Sequence, residues 1–451
     1  MKRYEYKDEK SEKFWEVHVE GDSFTARYGK MGASGQTSTK TFASGEKAQA
    51  EADKMAEKKV KKGYVLVSEG AAPQKKEVSG NPDLESAIAA DLGNTEAWMV
   101  YGDWLQEQGD PRGELVSIDC ALAAKPGDKK LIKRKEALLK EHEAAWLGKT
   151  LIEARDGAES DDMLKFAWKY GFLDSARLGE DFDNEGPDLA KQTRDLLKLD
   201  SAKFLRELKL GPANAEDGEG DWGDAVLALS KSGKLHAMRT LVIGDFDSED
   251  CEISWSSMGD VGKVWPCVPN LREMTVHGGN IKLGTIDHAN LEKLTIETGG
   301  LPLAAAKSLA AAKLPNLTSL TVWLGTDEYG GSSNIKSIKG IFDGKGLPKV
   351  THLGLQNSDY QDEIAKQISS APILGQLKTL DLSMGTMSDE GGNALVAAAD
   401  KFGHLDSINV DENFLSDECV TALKAAFGDK INIGEQEDDD DGQHRYVTVN
   451  E

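Results

Sequence analysis

A six-residue pattern recurs eight times between Leu205 and Val410 and strongly limits the folds open to this chain. In each copy, an apolar residue is followed by two variable residues, a second apolar residue, one variable residue and a third apolar residue. The copies start at Leu205, Met238, Leu271, Leu291, Leu317, Val350, Leu377 and Leu405. Most starts lie roughly 20 to 33 residues apart, the repeat length of a solenoid with one strand and one helix per turn. Such an array buries the patterned residues and exposes the intervening ones as a surface that binds partners.

The pattern resembles a leucine-rich repeat array. A degenerate first copy at Leu173, Ala176 and Leu178 keeps the same spacing, so we expect about nine parallel strands within residues 165–434. Helical patterns over 389–401 and 417–427 resemble the long repeats of the ribonuclease-inhibitor subtype. The predicted fold class is therefore a multidomain α+β and α/β chain that contains a parallel-stranded solenoid.

The chain is long enough for about two to four domains, and its composition supports folded cores. Hydrophobic residues make up 39% of the 451 residues and charged residues 29%, which argues against wholesale disorder. No run of about 18 apolar residues occurs, and the N-terminus lacks the apolar stretch of a signal peptide. The four cysteines are scattered, without C-x-x-C spacing or adjacent histidines. We expect a cytoplasmic protein with reduced thiols and no zinc site.

The net charge of −24 is unevenly distributed along the chain. Residues 1–66 carry 14 Lys/Arg and 11 Asp/Glu, a balance of +3, which leaves −27 for the remaining residues. Most of the chain would repel phosphates, so the charge argues against a solenoid that wraps nucleic acid. Only the N-terminal region has a charge balance suited to nucleic acid.

The first 67 residues are predicted to form a separate domain. Strands are predicted over 14–19 and 23–28, and a helix over 46–62 that ends at Gly63. The region carries, in order, Phe14-Trp15-Glu16-Val17, Arg27-Tyr28-Gly29-Lys30-Met31-Gly32, Gly35-Gln36, Lys40-Thr41-Phe42 and Lys62-Gly63-Tyr64. These motifs resemble a WGR domain, the module found in DNA-dependent poly(ADP-ribose) polymerases and in many bacterial proteins.

The resemblance implies a binding role, and no catalytic ADP-ribosyl transferase segment follows the domain. In the family, the Trp-Gly-Arg signature contacts nucleic-acid backbone or a terminal sugar. Here the signature is Tyr28-Gly29-Lys30, in which tyrosine keeps a stacking face and lysine keeps the charge but lacks the planar fork of arginine. The predicted contacts are Tyr28 and Lys30, with Arg27, Gln36 and Lys40 as lesser ones. A solvated hairpin edge is the alternative, and the lysines of 58–62 are interpreted as a helix C-terminus that favours cations.

A linker and a small helical region are predicted between this domain and the repeats. Residues 68–82 are small, polar and punctuated by Pro and Gly, as in a flexible linker. Within the helical region 83–164, Trp98, Tyr101, Trp104 and Leu105 fall on one face of a helix. The stretches Tyr101-Gly102-Asp103-Trp104-Leu105 and Gly109-Asp110-Pro111-Arg112-Gly113-Glu114-Leu115 resemble the repeat-companion module that precedes leucine-rich repeats in planctomycete and myxobacterial proteins. We interpret the aromatic stripe as a cap for the first repeat.

Strand alternation predicts which side chains line the concave face of the solenoid. The predicted protein-binding residues on this face are Trp323, His277, His352, Glu297, Gln356 and Asp381. Trp323 is the most informative of them, because a tryptophan on a solenoid floor can anchor a partner. The two histidines flank it at a distance, and no third ligand stands at metal spacing.

Motifs for chemistry are incomplete throughout the sequence. Fragments of a phosphate-binding loop occur without the rest, and neither His-Glu-x-x-His nor Gly-x-Ser-x-Gly is present. A stretch that begins like a calcium loop at Asp181 has Gln192, not Glu, at its twelfth position. We expect no cofactor and no metal. The acidic tail 435–451 ends in alternating residues that predict a short strand docked on the end of the array, or an extended peptide for a partner.

The sequence therefore predicts a non-enzymatic bacterial adaptor. Its solenoid would bind a protein partner, and its WGR-like domain would dock DNA, RNA or protein. The main alternative is a purely protein-directed inhibitor or assembly factor of a cognate enzyme, in which the WGR-like domain belongs to the protein interface. A hydrolase or transferase is a third class. No membrane partner is expected.

Overall fold

The computed structural model describes residues 2–8, 11–31, 36–69, 80–181, 186–213, 220–438 and 445–449. The chain forms two compact units, Met1–Asn81 and Pro82–Glu451. Most of the expected linker, four residues of the calcium-like stretch (182–185) and part of the acidic tail (439–444) lie outside the described residues.

The N-terminal unit is an antiparallel sheet with a helix on one face. Its elements are β1 (Lys2–Lys7), β2 (Glu12–Glu20), β3 (Ser23–Lys30), β4 (Gln36–Thr41), α1 (Gly45–Val60) and β5 (Val65–Glu69), with strand order β4-β3-β2-β1-β5. Because successive strand side chains alternate in direction, Trp15 of β2 and Phe24 and Ala26 of β3 share one face. They form a core with Ala52 and Ala56 of α1. The strands and helix predicted for this region are all present.

The larger unit begins with four helices, the last of them kinked at Gly148, and continues with strands that are mostly joined by helices, although no α-helix lies in residues 244–292. The opening helices are α2 (Pro82–Ala90), α3 (Thr95–Glu107), α4 (Arg112–Ala124) and α5 (Lys129–Gly157). The strands that follow are β6 (Lys165–Lys169), β7 (Phe172–Leu178), β8 (Glu207–Leu210), β9 (Gly220–Asp221), β10 (Thr240–Ile243), β11 (Ser256–Ser257), β12 (Glu273–His277), β13 (Lys293–Glu297), β14 (Ser319–Gly325), β15 (His352–Ser358), β16 (Thr379–Asp381), β17 (Ser407–Asn409) and β18 (Ile431–Asn432). The helices between them are α6 (Leu189–Leu196), α7 (Gly223–Ser230), α8 (Leu303–Ala310), α9 (Lys339–Asp343), α10 (Gln361–Ile368), α11 (Asp389–Ala397) and α12 (Asp417–Phe427).

One long sheet runs through this unit, in the order β18-β17-β16-β15-β14-β13-β12-β10-β8-β7-β6. The eight copies of the sequence pattern and the degenerate copy all lie at its parallel strands, and the architecture is leucine-rich-repeat-like α/β. The prediction of about nine parallel strands is not confirmed, because the described residues contribute eleven strands to the sheet, of which ten are joined by parallel pairing. The two additional strands do not carry the pattern: β6 pairs antiparallel with β7, and β18 pairs through only two residues.

The patterned residues form the core that the sequence predicts. Leu241, Leu294 and Leu353, the central residues of three copies, are each 0% exposed. They belong to one continuous apolar cluster that extends from Leu147 to Ile433. Each additional repeat therefore extends the same core, which stabilises a solenoid through contacts between neighbours.

The aromatic stripe of α3 caps the first strands of the array, as the sequence predicts. The ring of Trp98 lies 4.6 Å from that of Tyr170 and 4.9 Å from that of Phe204, measured between centroids. Tyr101 lies 5.9 Å from Phe172 of β7. These contacts cover apolar side chains that would otherwise face water at the open end of the sheet.

The tail differs from the expectation of a terminal strand. Residues 445–449 contain no assigned strand, and they do not extend the sheet beyond β18. Instead, the tail hydrogen-bonds to Asn357 and Met384, which belong to earlier repeats. The tail also contacts the last repeats, where the Tyr446 ring packs edge-on against Phe414 and its hydroxyl donates to Glu437 at 3.0 Å. It therefore lies along the carboxyl ends of several strands and adds no strand of its own.

Gly325 provides a test of the close packing between repeats. Its φ is +62°, and a Cβ placed on it would lie 1.8 Å from the carbonyl oxygen of Gly299. Gly330 also has a positive φ of +87°, but a Cβ there meets no atom within 4 Å. We expect Gly325→Ala to lower the free energy of unfolding by more than Gly330→Ala, with a difference of about 1–3 kcal/mol. Urea denaturation of both variants measures this difference, and equal losses would contradict the role of the close approach.

Candidate binding sites

Four lysines gather at one end of the N-terminal sheet. Lys13 and Lys30 face each other across β2 and β3, while Lys59 and Lys62 come from the end of α1 and the turn after it. None of the four amines forms an ion pair with a carboxylate of the described residues. Neighbouring like charges repel, so a cluster without counter-charge favours binding of an anion from outside. We call these four residues the lysine cluster.

Aromatic rings lie beside the lysine cluster. The Lys59 amine lies 5.5 Å from the ring centre of Trp15, 5.9 Å from that of Tyr28 and 4.8 Å from that of Tyr64. Burial lowers the pKa of Lys59, and the positive charges of Lys62 and Lys13 lower it further. The Tyr28 ring remains 40% exposed, so it keeps a face on which a base or sugar can stack.

Three of the five predicted nucleic-acid contacts lie with the lysine cluster. Tyr28 and Lys30 point to the same face of β3, and Gln36 of β4 is the strand partner of Tyr28. Lys40 shares this face, but its partner across the strands is Phe24. Phe24 lies four residues from Tyr28, which is about 14 Å along β3. A single phosphate contacted by Lys30 is therefore beyond the reach of Lys40.

Arg27 lies on the opposite face of the sheet. Its guanidinium is 3.6 Å from a carboxylate oxygen of Glu16 and lies 5.4 Å from the ring centre of Phe14. Glu16 is only 6% exposed and also binds Arg3 at 2.7 Å. Arg27 thus has an internal acidic partner, which the lysine cluster lacks.

Lys13 and Lys59 are absent from the predicted nucleic-acid contacts, and Lys59 is interpreted only as part of a helix C-terminus, although the sequence contains a signal for both. Lys13 lies two residues before the buried Trp15, so strand alternation places both on one face. Lys59 follows Ala52 and Ala56 on the apolar stripe of α1, which packs on the same face. Strand alternation in β2 and helical spacing in α1 together would have predicted that these two lysines lie near Tyr28.

On the array, four predicted contacts lie side by side near the carboxyl ends of successive strands. His277 of β12 pairs in register with Glu297 of β13, and Trp323 of β14 pairs with Gln356 of β15. The register between β13 and β14 places Glu297 beside Trp323. All four side chains are half-buried and belong to the open face of the sheet. We call these four residues the aromatic row.

Direct contacts connect His277 with the rest of the aromatic row. Its Nδ1 lies 3.0 Å from a carboxylate oxygen of Glu297, and its ring centroid lies 6.2 Å from that of Trp323. Phe246 packs edge-on against His277 at 4.8 Å and stacks on the buried Trp222. The expectation that His277 stands at a distance from Trp323 is wrong, because side chains two strands apart in a sheet can still reach each other.

His352 lies apart from the aromatic row, four residues before Gln356 on β15. Its Nδ1 lies 2.7 Å from the hydroxyl of Thr379, and its Nε2 lies 3.4 Å from that of Thr321. Burial lowers the pKa of His352 from its ordinary value, which favours the neutral ring at neutral pH. Its hydrogen bonds connect β14, β15 and β16, so its side chain stabilises the sheet and has fewer free polar atoms for a partner.

Asp381 is part of a polar ladder on the open face. The Gln356 amide donates to the Ser383 hydroxyl at 3.0 Å, and that hydroxyl donates to Asp381 at 2.6 Å. The Asn409 amide donates to both carboxylate oxygens of Asp381 at 3.1 Å, and Asn432 donates to Asn409 at 2.7 Å. A partner that binds here must exchange existing hydrogen bonds, so these residues contribute less affinity than Trp323 can.

An acidic cleft of about 400 Å³ opens beside the aromatic row. Phe246 and His277 supply its aromatic lining, and Asp247, Asp250 and Glu297 contribute carboxylates. Arg177 also lines the cleft, but its charge is paired with Asp245 at 2.6 Å. None of these three carboxylates pairs with a Lys or Arg among the residues that the structure describes. Aromatic faces beside carboxylates that are not paired with a Lys or Arg suit a basic side chain, which both groups attract.

Comparison with protein families identifies the N-terminal unit. Residues 1–71 match the WGR domain family, so this unit is a WGR domain. A segment of 63 residues is 49% identical to the uncharacterized protein YfeS of Escherichia coli strain K12. That match covers 14% of this chain and 26% of the Escherichia coli protein.

Solved structures that resemble the chain include one from Bacteroides fragilis and one from Listeria monocytogenes. A crystal structure from Bacteroides fragilis, determined by the Northeast Structural Genomics Consortium, matches 100% of this chain and 99% of its own, with 23% identity and a TM-score of 0.54. This likeness shows a shared fold. An internalin, InlF from Listeria monocytogenes strain 4b F2365, matches 54% of this chain and 69% of its own, with 15% identity and a TM-score of 0.27.

The described residues contain neither a membrane-spanning helix nor a cluster of metal-ligating side chains. No described helix is both long enough and apolar enough to cross a membrane. No group of three or more His, Cys, Asp or Glu side chains within the described ranges is arranged to hold a metal ion. All four cysteines are free thiols, and burial raises the pKa of Cys419 to about 11.

Proposed function

We propose that this chain is a non-enzymatic bacterial adaptor that acts in the cytoplasm, with the WGR domain docking nucleic acid and the repeat array binding a protein partner. The observation that carries the nucleic-acid half is the lysine cluster, which places four cations, none paired with a carboxylate of the described residues, beside an exposed tyrosine ring. Phosphates neutralise such a cluster, and the Tyr28 ring can stack on a base or terminal sugar.

The partner-binding half of the proposal rests on the aromatic row and the acidic cleft beside it. Trp323 and His277 offer apolar area that remains half-buried, and Glu297 lies directly between their strands. A partner that inserts an Arg or Lys side chain into the cleft would contact both the rings and the carboxylates. The helices before the array support this role, because they cover its first strands as repeat-companion modules are expected to do.

Salt dependence tests the nucleic-acid half. Full-length protein is titrated into fluorescently labelled single-stranded and double-stranded oligonucleotides at several salt concentrations, and anisotropy gives the association constant. We expect the logarithm of this constant to fall linearly with the logarithm of salt, with a slope of about −0.7 to −0.9 for each phosphate neutralised. Binding that is absent at low salt, or that does not change with salt, would contradict nucleic-acid docking and favour a purely protein-directed inhibitor or assembly factor.

A further inference from the structure

The tail 445–449 binds the carboxyl ends of β15 and β16 through its backbone. The amide nitrogen of Val449 donates to the side-chain oxygen of Asn357 at 2.9 Å, and the Asn357 amide donates back to the carbonyl of Val449 at 2.5 Å. The amide nitrogen of Thr448 donates to the carbonyl of Met384 at 3.1 Å. Three backbone groups of the tail are thus held by two residues that directly follow Gln356 and Ser383.

Side chains add selectivity to this backbone recognition. The Arg445 guanidinium lies 3.1 Å from a carboxylate oxygen of Asp362 and also donates to the carbonyl of Thr386. Val447 is 2% exposed, while Tyr446 is 53% exposed and Thr448 is also exposed. The alternation of a buried residue between two exposed ones is that of a peptide strand lying on a surface.

Asn357 shows that this surface is shaped to hold a peptide. Its side chain is 0% exposed, and its backbone adopts a left-handed φ of +52°. Both polar atoms of its side-chain amide bond to the tail, and neither has another partner among the described residues. Departure of the tail would remove both hydrogen-bond partners of this amide, and another peptide backbone could supply the same donor and acceptor.

We propose that Asn357, Asp362, Met384 and Thr386 form a peptide-binding site that the chain's own tail occupies and that accepts an extended Arg-x-Val segment of a partner protein, continued by two further residues, in its place. The site recognises the side chains of one basic residue and one buried valine. Its other contacts are hydrogen bonds to the peptide backbone, which a peptide of any sequence can form. This is how strand-like peptide segments are commonly bound, with hydrogen bonds from the main chain and pockets for alternate side chains.

Competition from the tail governs how tightly a separate peptide binds. A tethered segment has an effective concentration on the order of millimolar, so a free peptide must compete against the tail of the same molecule. A change that removes the tail without altering Asn357, Asp362, Met384 or Thr386 should therefore uncover the site. Val447→Asp is such a change, because it forces a charge into the buried position of the tail.

The experiment measures binding of a fluorescently labelled synthetic peptide identical to residues 443–451 to full-length protein by anisotropy. We expect Val447→Asp protein to bind this peptide at least about tenfold more tightly than unmodified protein. Thr448→Asp is the matched control, because it adds the same charge at an exposed position one residue away and should leave the tail bound. A labelled peptide with Asp in place of its own valine at position 447 should bind neither protein.

Arg445→Glu provides a second way to release the tail if Val447→Asp protein does not fold. It places a carboxylate beside Asp362 at a position that is exposed, so repulsion removes the tail without a change in the core. Both released variants should expose the site to the peptide. Folded variants, verified by circular dichroism, that bind the peptide no better than unmodified protein would overturn the proposal.

Discussion

Replacement of Trp323 by alanine is expected to weaken binding of the protein partner about 30- to 1000-fold, equivalent to about 2–4 kcal/mol. Trp323 lies in the aromatic row, in contact with His277 and in register with Gln356. Half-buried tryptophans near the centre of an interface supply a large rigid area, and their removal leaves a gap that the partner cannot fill. The partner is first isolated with immobilised full-length protein, and its affinity for each variant is then measured by calorimetry.

Trp255→Ala is the matched control for this substitution. Trp255 is 51% exposed in the segment between β10 and β12, and it lies outside the aromatic row. The substitution deletes the same side chain at an exposed position, and we expect it to change the affinity less than about threefold. Equal losses from both variants, or no loss from Trp323→Ala, would contradict binding at the aromatic row.

The Lys13→Ala/Lys30→Ala double variant is expected to bind double-stranded nucleic acid about 60-fold more weakly at 0.1 M salt. The two lysines face each other across β2 and β3 without a carboxylate partner, so each can contribute one phosphate contact. The loss of two contacts should also reduce the salt slope by about 1.8. Anisotropy titrations over a range of salt concentrations measure both quantities.

Lys47→Ala/Lys54→Ala is the control for the lysine variant. It removes the same number of charges from α1, at exposed positions away from Tyr28. A general electrostatic attraction would make the two double variants equivalent, whereas contacts at the lysine cluster should make the salt slope fall only for Lys13→Ala/Lys30→Ala. Equal slopes for the two variants would contradict a specific site.

The sequence predicts much of the fold because its periodicities are strong. The repeated apolar pattern marks the parallel strands at β8, β10 and β12 to β17, and it also marks residues with little or no exposure, such as Leu241 and Leu353. The strand β18 is not predicted because a strand of two residues is too short to show an alternating pattern. The position of the tail is not predicted because its partners, such as Asn357 and Met384, are far away in sequence and bind backbone.

The candidate sites are predicted only in part. The sequence indicates the face on which a side chain lies, but it does not indicate the distance between side chains on different strands. Alternation places Trp323, His277 and Glu297 on the open face, but their contact depends on the order and register of three strands. At the WGR domain, Tyr28 and Lys30 are found from the signature, whereas Lys59 comes from a helix whose packing the sequence does not specify directly. Arg27 is predicted as a contact from the same signature, but it pairs with Glu16 on the neighbouring strand, and the sequence alone does not show this ion pair.

The most direct test of the adaptor proposal is quantitative recovery of protein and nucleic acid from native lysate, with and without nuclease. The baits are unmodified full-length protein, the Trp323→Ala variant and the Lys13→Ala/Lys30→Ala variant. We predict that Trp323→Ala loses one stoichiometric protein, which unmodified protein retains after nuclease, while Lys13→Ala/Lys30→Ala loses only the nucleic acid. Loss of both by either variant, or a protein that disappears with nuclease, would contradict two independent binding surfaces on one chain.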